Sequence, residues 1–170
     1  LHGCRTGDAK ITKGYRLPAA HVIHTVGPIY RDGRHGEPAL LASAYRRSIE
    51  VAAENGCARV AFPAISAGVY GYPADEAARI AVSTVAKAMA EHPQVIEVRF
   101  WLFNEHLYRA FEQALRRPAG GAAAQRSAAG GRAGGPPKAH PEREASPGQA
   151  VRRRSRPGSD SCPAGAAIQS

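Results

Sequence analysis

Two spacings of apolar residues alternate along residues 1–117, one typical of strands and one typical of helices. Short β-branched or alternating stretches predict strands at 8–16, 21–26, 58–62 and 95–103. Apolar residues three and four positions apart predict helices at 38–54, 73–91 and 105–116. Pro38 and Pro73 suit the first turns of two of these helices, and Asn55-Gly56 suits the end of one.

The alternation of strand and helix predicts the α/β class, with a mostly parallel sheet and helices on its faces. Three or four strands with three helices make a thin core for a sheet of this kind, whose strands are normally buried on both sides. Residues 1–117 are therefore expected to be part of a larger domain.

Residues 118–170 differ from the rest of the chain because they contain no aromatic residue, and Val151 and Ile168 are their only larger aliphatic residues. They include 13 Ala, 9 Gly and 7 Pro. Such a segment buries too little apolar surface to offset the entropy of ordering it. The sequence therefore predicts a folded domain at 1–117 followed by a disordered basic tail at 118–170.

The charge of the chain bears on nucleic-acid binding, and its cysteines bear on disulfide and zinc sites. The chain has a formal net charge of +9, and its densest basic run is 152–156 (RRRSR). That run can hold nucleic acid weakly and without sequence preference, or it can simply be solvated, which is the favoured interpretation.

Three widely spaced cysteines without a C-x-x-C pair predict neither disulfides nor a zinc site. No apolar stretch is long enough to span a membrane and no signal peptide is visible, so a cytoplasmic location is expected.

The segment 63–73 (PAISAGVYGYP) is the strongest candidate for a ligand site. It joins a predicted strand to a helix N-terminus, where backbone N–H groups and the helix dipole favour phosphate. Gly68 and Gly71 are expected to adopt positive φ and to let a ligand approach the backbone, while Val69 and Tyr70 close over a sugar. The alternative is a tight glycine turn of purely structural role, which composition alone does not separate from a ligand loop.

Other candidates have a simpler structural interpretation. Phe103 and Asn104 end a strand and offer a ring for a purine and an amide for a ribose or base, but from spacing alone a core Phe followed by a helix-capping Asn is the favoured interpretation. His24 lies inside a strand and is interpreted as a hydrogen-bonded interior residue. His21 and His35 have no companion at metal-ligand spacing, so neither a metal site nor a cofactor is predicted. No nucleophile–base arrangement is supported, and no catalytic residue is assigned.

Several motifs in order resemble macro domains, in the branch of O-acetyl-ADP-ribose deacetylases and mono-ADP-ribosyl hydrolases. The matching strings are 6–15 (TGDAKITKGY), 17–19 (LPA), 21–28 (HVIHTVGP) and 62–73 (FPAISAGVYGYP). The resemblance implies a three-layer α/β/α fold with ADP-ribose as ligand, the loop wrapping the diphosphate and distal ribose, and Phe103 lying near the adenine. The implied ligand-binding residues are Ile65, Ser66, Ala67, Gly68, Val69, Tyr70, Gly71, Phe103 and Asn104.

The resemblance also implies a hydrolytic reaction, but the family segments that activate water for it do not occur in this sequence. Macro domains carry an Asn-Ala-Ala-Asn-like segment and a Gly-rich loop that activate water at the distal ribose, and neither occurs here. Residues 1–117 are expected to form a monomeric macro domain that lacks its N-terminal strands and catalytic loop. The complete form of such a domain is expected to deacetylate O-acetyl-ADP-ribose or to remove mono-ADP-ribose from proteins. The expected partner is ADP-ribose or an ADP-ribosylated protein. A non-catalytic ADP-ribose-binding module or an inactive fragment is the alternative.

Overall fold

The computed structural model describes residues 3–117, 149–154 and 165–169, which form a six-stranded mixed sheet with three helices. The strands are β1 (Ala9–Lys13), β2 (His21–Thr25), β3 (Arg59–Phe62), β4 (Glu97–Leu102), β5 (Gln149–Arg154) and β6 (Gly165–Gln169). The helices are α1 (Glu37–Glu54), α2 (Ala74–Glu91) and α3 (Glu105–Arg116). The predicted α/β class is confirmed, and each predicted helix begins and ends within one residue of the observed one.

The strands lie in the order β1-β2-β6-β3-β4-β5. The central strands β2, β6, β3 and β4 run parallel, and the outer strands β1 and β5 are antiparallel to their neighbours. The sheet is therefore mostly parallel, as predicted, and the carboxyl ends of its four central strands share one edge. Ligands of parallel α/β sheets bind beyond that edge.

Two short segments of residues 118–170, for which the sequence predicts disorder, are strands of the sheet. Gln149–Arg154 pairs with β4, and Gly165–Gln169 lies between β2 and β3. The physical reason is that strand edges present unpaired N–H and C=O groups, which an extended segment can satisfy whatever its apolar content. The rest of 118–170 lies outside the described residues, and the division of the chain at residue 117 stays a prediction.

An aromatic cluster joins the helices to the sheet. The ring of Tyr45 in α1 lies 5.1 Å from that of Phe62 in β3, measured between centroids. Phe62 lies 6.0 Å from Phe100 in β4, which lies 4.9 Å from Phe111 in α3. All four side chains are fully buried. The core therefore fixes the positions of α1 and α3 relative to the ends of β3 and β4.

Candidate functional site

The loop between β3 and α2, residues 63–73, lies at the carboxyl edge of the sheet. Its first half is anchored to the core: Ile65 is fully buried, and its N–H donates to the Tyr45 hydroxyl at 3.0 Å. At its far end the N–H of Tyr72 donates to the carbonyl of Ser66 at 3.0 Å. The loop is thus held at both ends while its middle protrudes.

Most amides in the middle of the loop are unpaired. Within the part of the chain that the structure describes, the N–H groups of Ser66, Gly68, Val69 and Tyr70 have no hydrogen-bond partner. The N–H groups of Ala67 and Gly71 donate within the loop, to the carbonyls of Ala64 (3.3 Å) and Gly68 (3.0 Å). Free amides followed by the N-terminus of an 18-residue helix form a favourable environment for an anion.

The backbone of the loop differs from the prediction at one glycine. Gly71 has the expected positive φ, of 68°, but Gly68 does not, and Ser66 takes the left-handed conformation instead, with φ of 63°. That conformation costs a non-glycine residue about 1–2 kcal/mol. Ser66 is also 7% exposed, and its Oγ has no hydrogen-bond partner among the described residues. Strain of this kind is typical of ligand-binding loops.

The end of β2 packs directly beneath this strained residue. A Cβ placed on Gly27 would lie 2.2 Å from the Oγ of Ser66 and 2.5 Å from the Cγ2 of Ile65. Real Cβ atoms essentially never approach other atoms so closely, so only glycine fits at position 27. A second link between the two loops is the N–H of Tyr30, which donates to the carbonyl of Tyr70 at 2.9 Å.

Val69 and Tyr70 lie on the outside of the loop. Val69 is fully exposed and Tyr70 is 39% exposed. Large apolar side chains held in solvent by an anchored loop are available to contact a ligand, although isolated exposed apolar residues are common on protein surfaces. A Cβ added to Gly68, next to them, would meet no protein atom within 4 Å.

Phe103 and Asn104 lie at the same edge because β4 runs parallel beside β3. Phe103 is 71% exposed, so the interpretation as a core Phe was wrong. Asn104 caps α3: its Oδ1 accepts from the N–H of Leu107 at 2.9 Å. The structural interpretation of Asn104 is therefore correct, and only its amide NH₂ is left for a ligand.

A cleft of about 370 Å³ lies beside Tyr70, at a position where the sequence predicts no site. Its lining residues are Thr6, Val26, Gly27, Pro28, Ile29, Arg31, His35, Glu37, Leu40 and Tyr70. Between the predicted strand at 21–26 and the predicted helix at 38–54, the sequence offers only a weak signal for this cleft, a Glu next to Pro38 after two glycines. The cleft extends the candidate site from the 63–73 loop toward the N-terminus of α1.

Glu37 organises the wall of this cleft. Its buried carboxylate accepts from the N–H of Arg31 (3.2 Å) and from that of His35 (2.6 Å). Hydrogen bonds from its own N–H and from the N–H groups of His35 and Arg31 lower the pKa of Glu37. Asp32 Oδ1 lies 2.9 Å from Nδ1 of His35 and accepts from the N–H of Arg34 at 2.9 Å.

These contacts bring together groups that the sequence prediction kept apart. One ligand atom each from Asp32, His35 and Glu37 lies within 4.8 Å of the others, so His35 does have companions at metal-ligand distance. Both carboxylates already accept from backbone N–H groups, which makes loop stabilisation a sufficient explanation of the cluster.

His24 and His21 fit structural roles. His24 is half-buried, and its Nε2 lies 3.0 Å from the Oγ1 of Thr12 on β1, as expected for a hydrogen-bonded interior residue. His21 Nδ1 lies 3.5 Å from the Sγ of Cys57, at the amino ends of β2 and β3, opposite the candidate site. Burial raises the pKa of the Cys57 thiol, which disfavours the reactive thiolate.

A loop with free amides between a central parallel strand and a helix N-terminus is typical of the anion-binding sites of α/β domains. The macro domain family model matches residues 1–81. A macro domain-containing protein of Chlorobaculum tepidum is 51% identical over 115 residues, covering 68% of this chain and 67% of the relative. One of Mesorhizobium japonicum is 56% identical over 115 residues, covering 68% and 65%. The chain belongs to the macro domain family.

Solved structures confirm the predicted macro domain fold. A mutant of the Oceanobacillus iheyensis macrodomain with ADPR is 38% identical and superposes with a TM-score of 0.62, covering 66% of this chain and 60% of its own. The Trypanosoma brucei macrodomain in complex with ADP-ribose is 38% identical with a TM-score of 0.60, covering 68% and 48%. The chain therefore spans about two thirds of the length of the curated relatives and a smaller share of the length of these solved chains. Among the described residues, none of the helices has the length and apolar character required to cross a membrane.

Proposed function

We propose that this chain binds ADP-ribose through the loop at 63–73. The observation that carries the proposal is the set of unpaired N–H groups at Ser66, Gly68, Val69 and Tyr70, directly before the N-terminus of α2. Amides fixed in this way donate to phosphate oxygens without further reorganisation. The relatives solved with ADP-ribose support this choice of ligand.

The remaining parts of the ligand are assigned by position. The exposed ring of Tyr70, beside the cleft, contacts the distal ribose, and the exposed side chain of Val69 closes over the same sugar. Phe103, exposed at the neighbouring strand end, stacks on the adenine, and Asn104 lies beside it with its free NH₂. Ile65 contributes by anchoring the loop, since its N–H is bonded to Tyr45.

Hydrolysis is proposed for a complete domain and not for these residues alone. In that form the protein would deacetylate O-acetyl-ADP-ribose or remove mono-ADP-ribose from proteins, with this loop supplying binding and orientation. For the chain of 170 residues we expect binding without appreciable turnover, as in a non-catalytic ADP-ribose-binding module. Release of acetate from O-acetyl-ADP-ribose by the purified chain would contradict that part of the proposal.

Calorimetry on Gly68 variants tests the binding site. Gly68 has no positive φ and no protein atom near its missing Cβ, so Gly68→Ala and Gly68→Val should leave the melting temperature unchanged. The added carbons would then obstruct only the ligand, and affinity for ADP-ribose should fall with side-chain size, by about tenfold or more for Val. Unchanged affinity in both variants would reject the loop as the diphosphate site.

A further inference from the structure

The three helices lie on one face of the sheet. Phe62 of β3 and Phe100 of β4 are in register, so their side chains lie on the same face. On that face Phe62 packs against Tyr45 of α1, and Phe100 packs against Phe111 of α3. Helix α2 packs against both α1 and α3 and therefore lies on that side too. Within the part of the chain that the structure describes, no helix covers the opposite face, and we call it the open face.

The open face carries several cations and one indole ring. Successive side chains along a strand point to opposite faces of a sheet. Val98, Phe100 and Leu102 are buried on the helix side, so the residues that alternate with them in β4 lie on the open face. The register of β1, β2, β6 and β3 extends the same rows across the sheet. The charged and aromatic residues of the described side chains in these rows are Lys10, His24, Arg59, Glu97, Arg99 and Trp101.

Trp101 is accessible on this face and has a fixed cation beside it. Its side chain is 49% exposed, and that of Arg99, two residues earlier in β4, is 33% exposed. Glu97 holds the guanidinium of Arg99, since Nε donates to Oε1 and Nη2 donates to Oε2, both at 3.1 Å. Such a bidentate pair fixes the plane of the guanidinium. An exposed indole beside an oriented guanidinium offers a surface on which an unpaired base can stack.

Strand β5 brings the start of the basic run at 152–156 alongside Trp101. In the antiparallel pairing of β5 with β4, Arg152 is in register with Arg99, and Ala150 is in register with Trp101. The densest run of positive charge in the chain therefore begins next to the strand that carries the exposed indole. A basic surface of this kind attracts polyanions, and their phosphates contribute affinity by releasing bound counterions.

We propose that the open face binds single-stranded nucleic acid, with Trp101 stacking on a base and the cations of β1, β3, β4 and β5 contacting phosphates. Single strands fit because their bases are free to stack on an aromatic side chain, whereas the bases of a duplex already stack on one another. The open face is separate from the 63–73 loop, so this inference does not rest on ADP-ribose binding.

The fluorescence of Trp101 provides a direct test, because Trp101 is the only tryptophan of the chain. Titrating the full chain with an oligo(dT) of about 15 nucleotides should quench this fluorescence, and anisotropy of the labelled oligonucleotide should give the same dissociation constant. The logarithm of the binding constant should fall against the logarithm of the salt concentration with a slope of about −2 to −4. A duplex of the same length should leave the fluorescence unchanged.

Substitutions of Trp101 separate stacking from charge. Trp101→Ala should weaken binding about tenfold in the anisotropy measurement, without changing the salt slope. Trp101→Phe keeps an aromatic ring and should recover most of the affinity. Because the side chain is half exposed, both variants should keep the melting temperature of the wild type.

Two lysines on opposite sides of the molecule separate the open face from net charge. Lys10→Ala should weaken binding and reduce the salt slope by about 0.7. Lys87→Ala is the matched control, because Lys87 is exposed on α2, on the side of the sheet that the helices cover. It should change neither the affinity nor the slope, and equal losses in the two variants would overturn the open face as the site.

Two pairs of arginines apply the same comparison to the basic run. Arg152→Ala combined with Arg154→Ala should reduce the salt slope by about 1.4. Arg109→Ala combined with Arg116→Ala removes the same charge from α3, where both side chains are 76% exposed, and should leave binding unchanged.

Three further outcomes would overturn the proposal. Trp101 fluorescence that stays constant while the labelled oligonucleotide binds would place the nucleic acid elsewhere, and displacement by ADP-ribose would place it at the 63–73 loop. Binding of poly-glutamate with equal affinity and equal quenching would show a general preference for polyanions. Failure of the chain to bind ADP-ribose would instead overturn the proposed function and leave this inference standing.

Discussion

Gly27 and Ser66 are in contact across the two loops that border the site, at a distance that allows no side chain on Gly27. A Cβ there would lie 2.2 Å from the Oγ of Ser66, which is itself in a strained left-handed conformation. The contact at Gly27 therefore fixes how closely the 63–73 loop approaches the end of β2. This contact couples the stability of the fold to the geometry of the site.

Gly27→Ala tests that coupling. The new methyl group must displace Ser66 and Ile65, and we expect a loss of about 1–3 kcal/mol in the free energy of unfolding, typical of overpacking. The same shift should weaken ADP-ribose binding. Urea unfolding and calorimetry measure the two effects. Gly68→Ala is the control for the stability measurement alone, since its Cβ meets open space, and equal stability of the two variants would contradict the close contact.

The order of the elements could be predicted because apolar periodicity is a local property of the chain. Val98, Phe100 and Leu102 alternate with more polar residues and are buried, as their spacing predicts. The position of the 63–73 loop followed from the same pattern, because a strand that leads into a helix places its connection at the sheet edge. Polar and glycine content then identified the loop as a candidate site.

What could not be predicted depends on contacts between distant parts of the chain. The left-handed φ fell on Ser66 and not on Gly68, because the loop is fixed by Tyr45 and Gly27, which lie outside it. The cleft was missed because the Glu37 carboxylate binds amides whose positions no periodicity specifies. Strand β6 was missed because small residues carry little strand signal, and its pairing with β2 and β3 is long-range.

Tyr45 and Tyr72 form a matched pair for testing how the loop is anchored. Both are buried, but the Tyr45 hydroxyl accepts from the N–H of Ile65, whereas that of Tyr72 has no partner among the described residues. Tyr45→Phe leaves a buried N–H unsatisfied and should cost about 1–2 kcal/mol of unfolding free energy. Tyr72→Phe removes a group without a bond and should change stability by less than about 0.5 kcal/mol. Chemical denaturation of both variants measures this, and equal losses would argue against the anchor.

The central position of β6 predicts sensitivity to proline. Ala167 is in register with Val22 on one side and with Ala61 on the other. Proline there removes a backbone donor from the middle of the sheet, which central strands do not tolerate. Ala167→Pro should lower the melting temperature markedly, while Ala167→Ser, which keeps the N–H, should not. Identical melting curves for the two variants and the wild type would show that Gly165–Gln169 is not part of the sheet.

The hydrogen bonds of Glu37 predict that the cleft wall loosens in acid. Hydrogen bonds, the strongest of them from its own N–H, lower the pKa of Glu37 from 4.5. The stabilisation that the carboxylate gives to the cleft wall is therefore complete above about pH 4.5 and is lost as the pH falls through the lowered pKa. The amide resonances of Arg31 and His35, followed by NMR, should shift together over that acidic range. In Glu37→Gln the shared transition should be absent, whereas in Asp32→Asn it should persist, because Asp32 accepts from Arg34 instead. If the two amides titrate independently of residue 37, the carboxylate does not hold the wall.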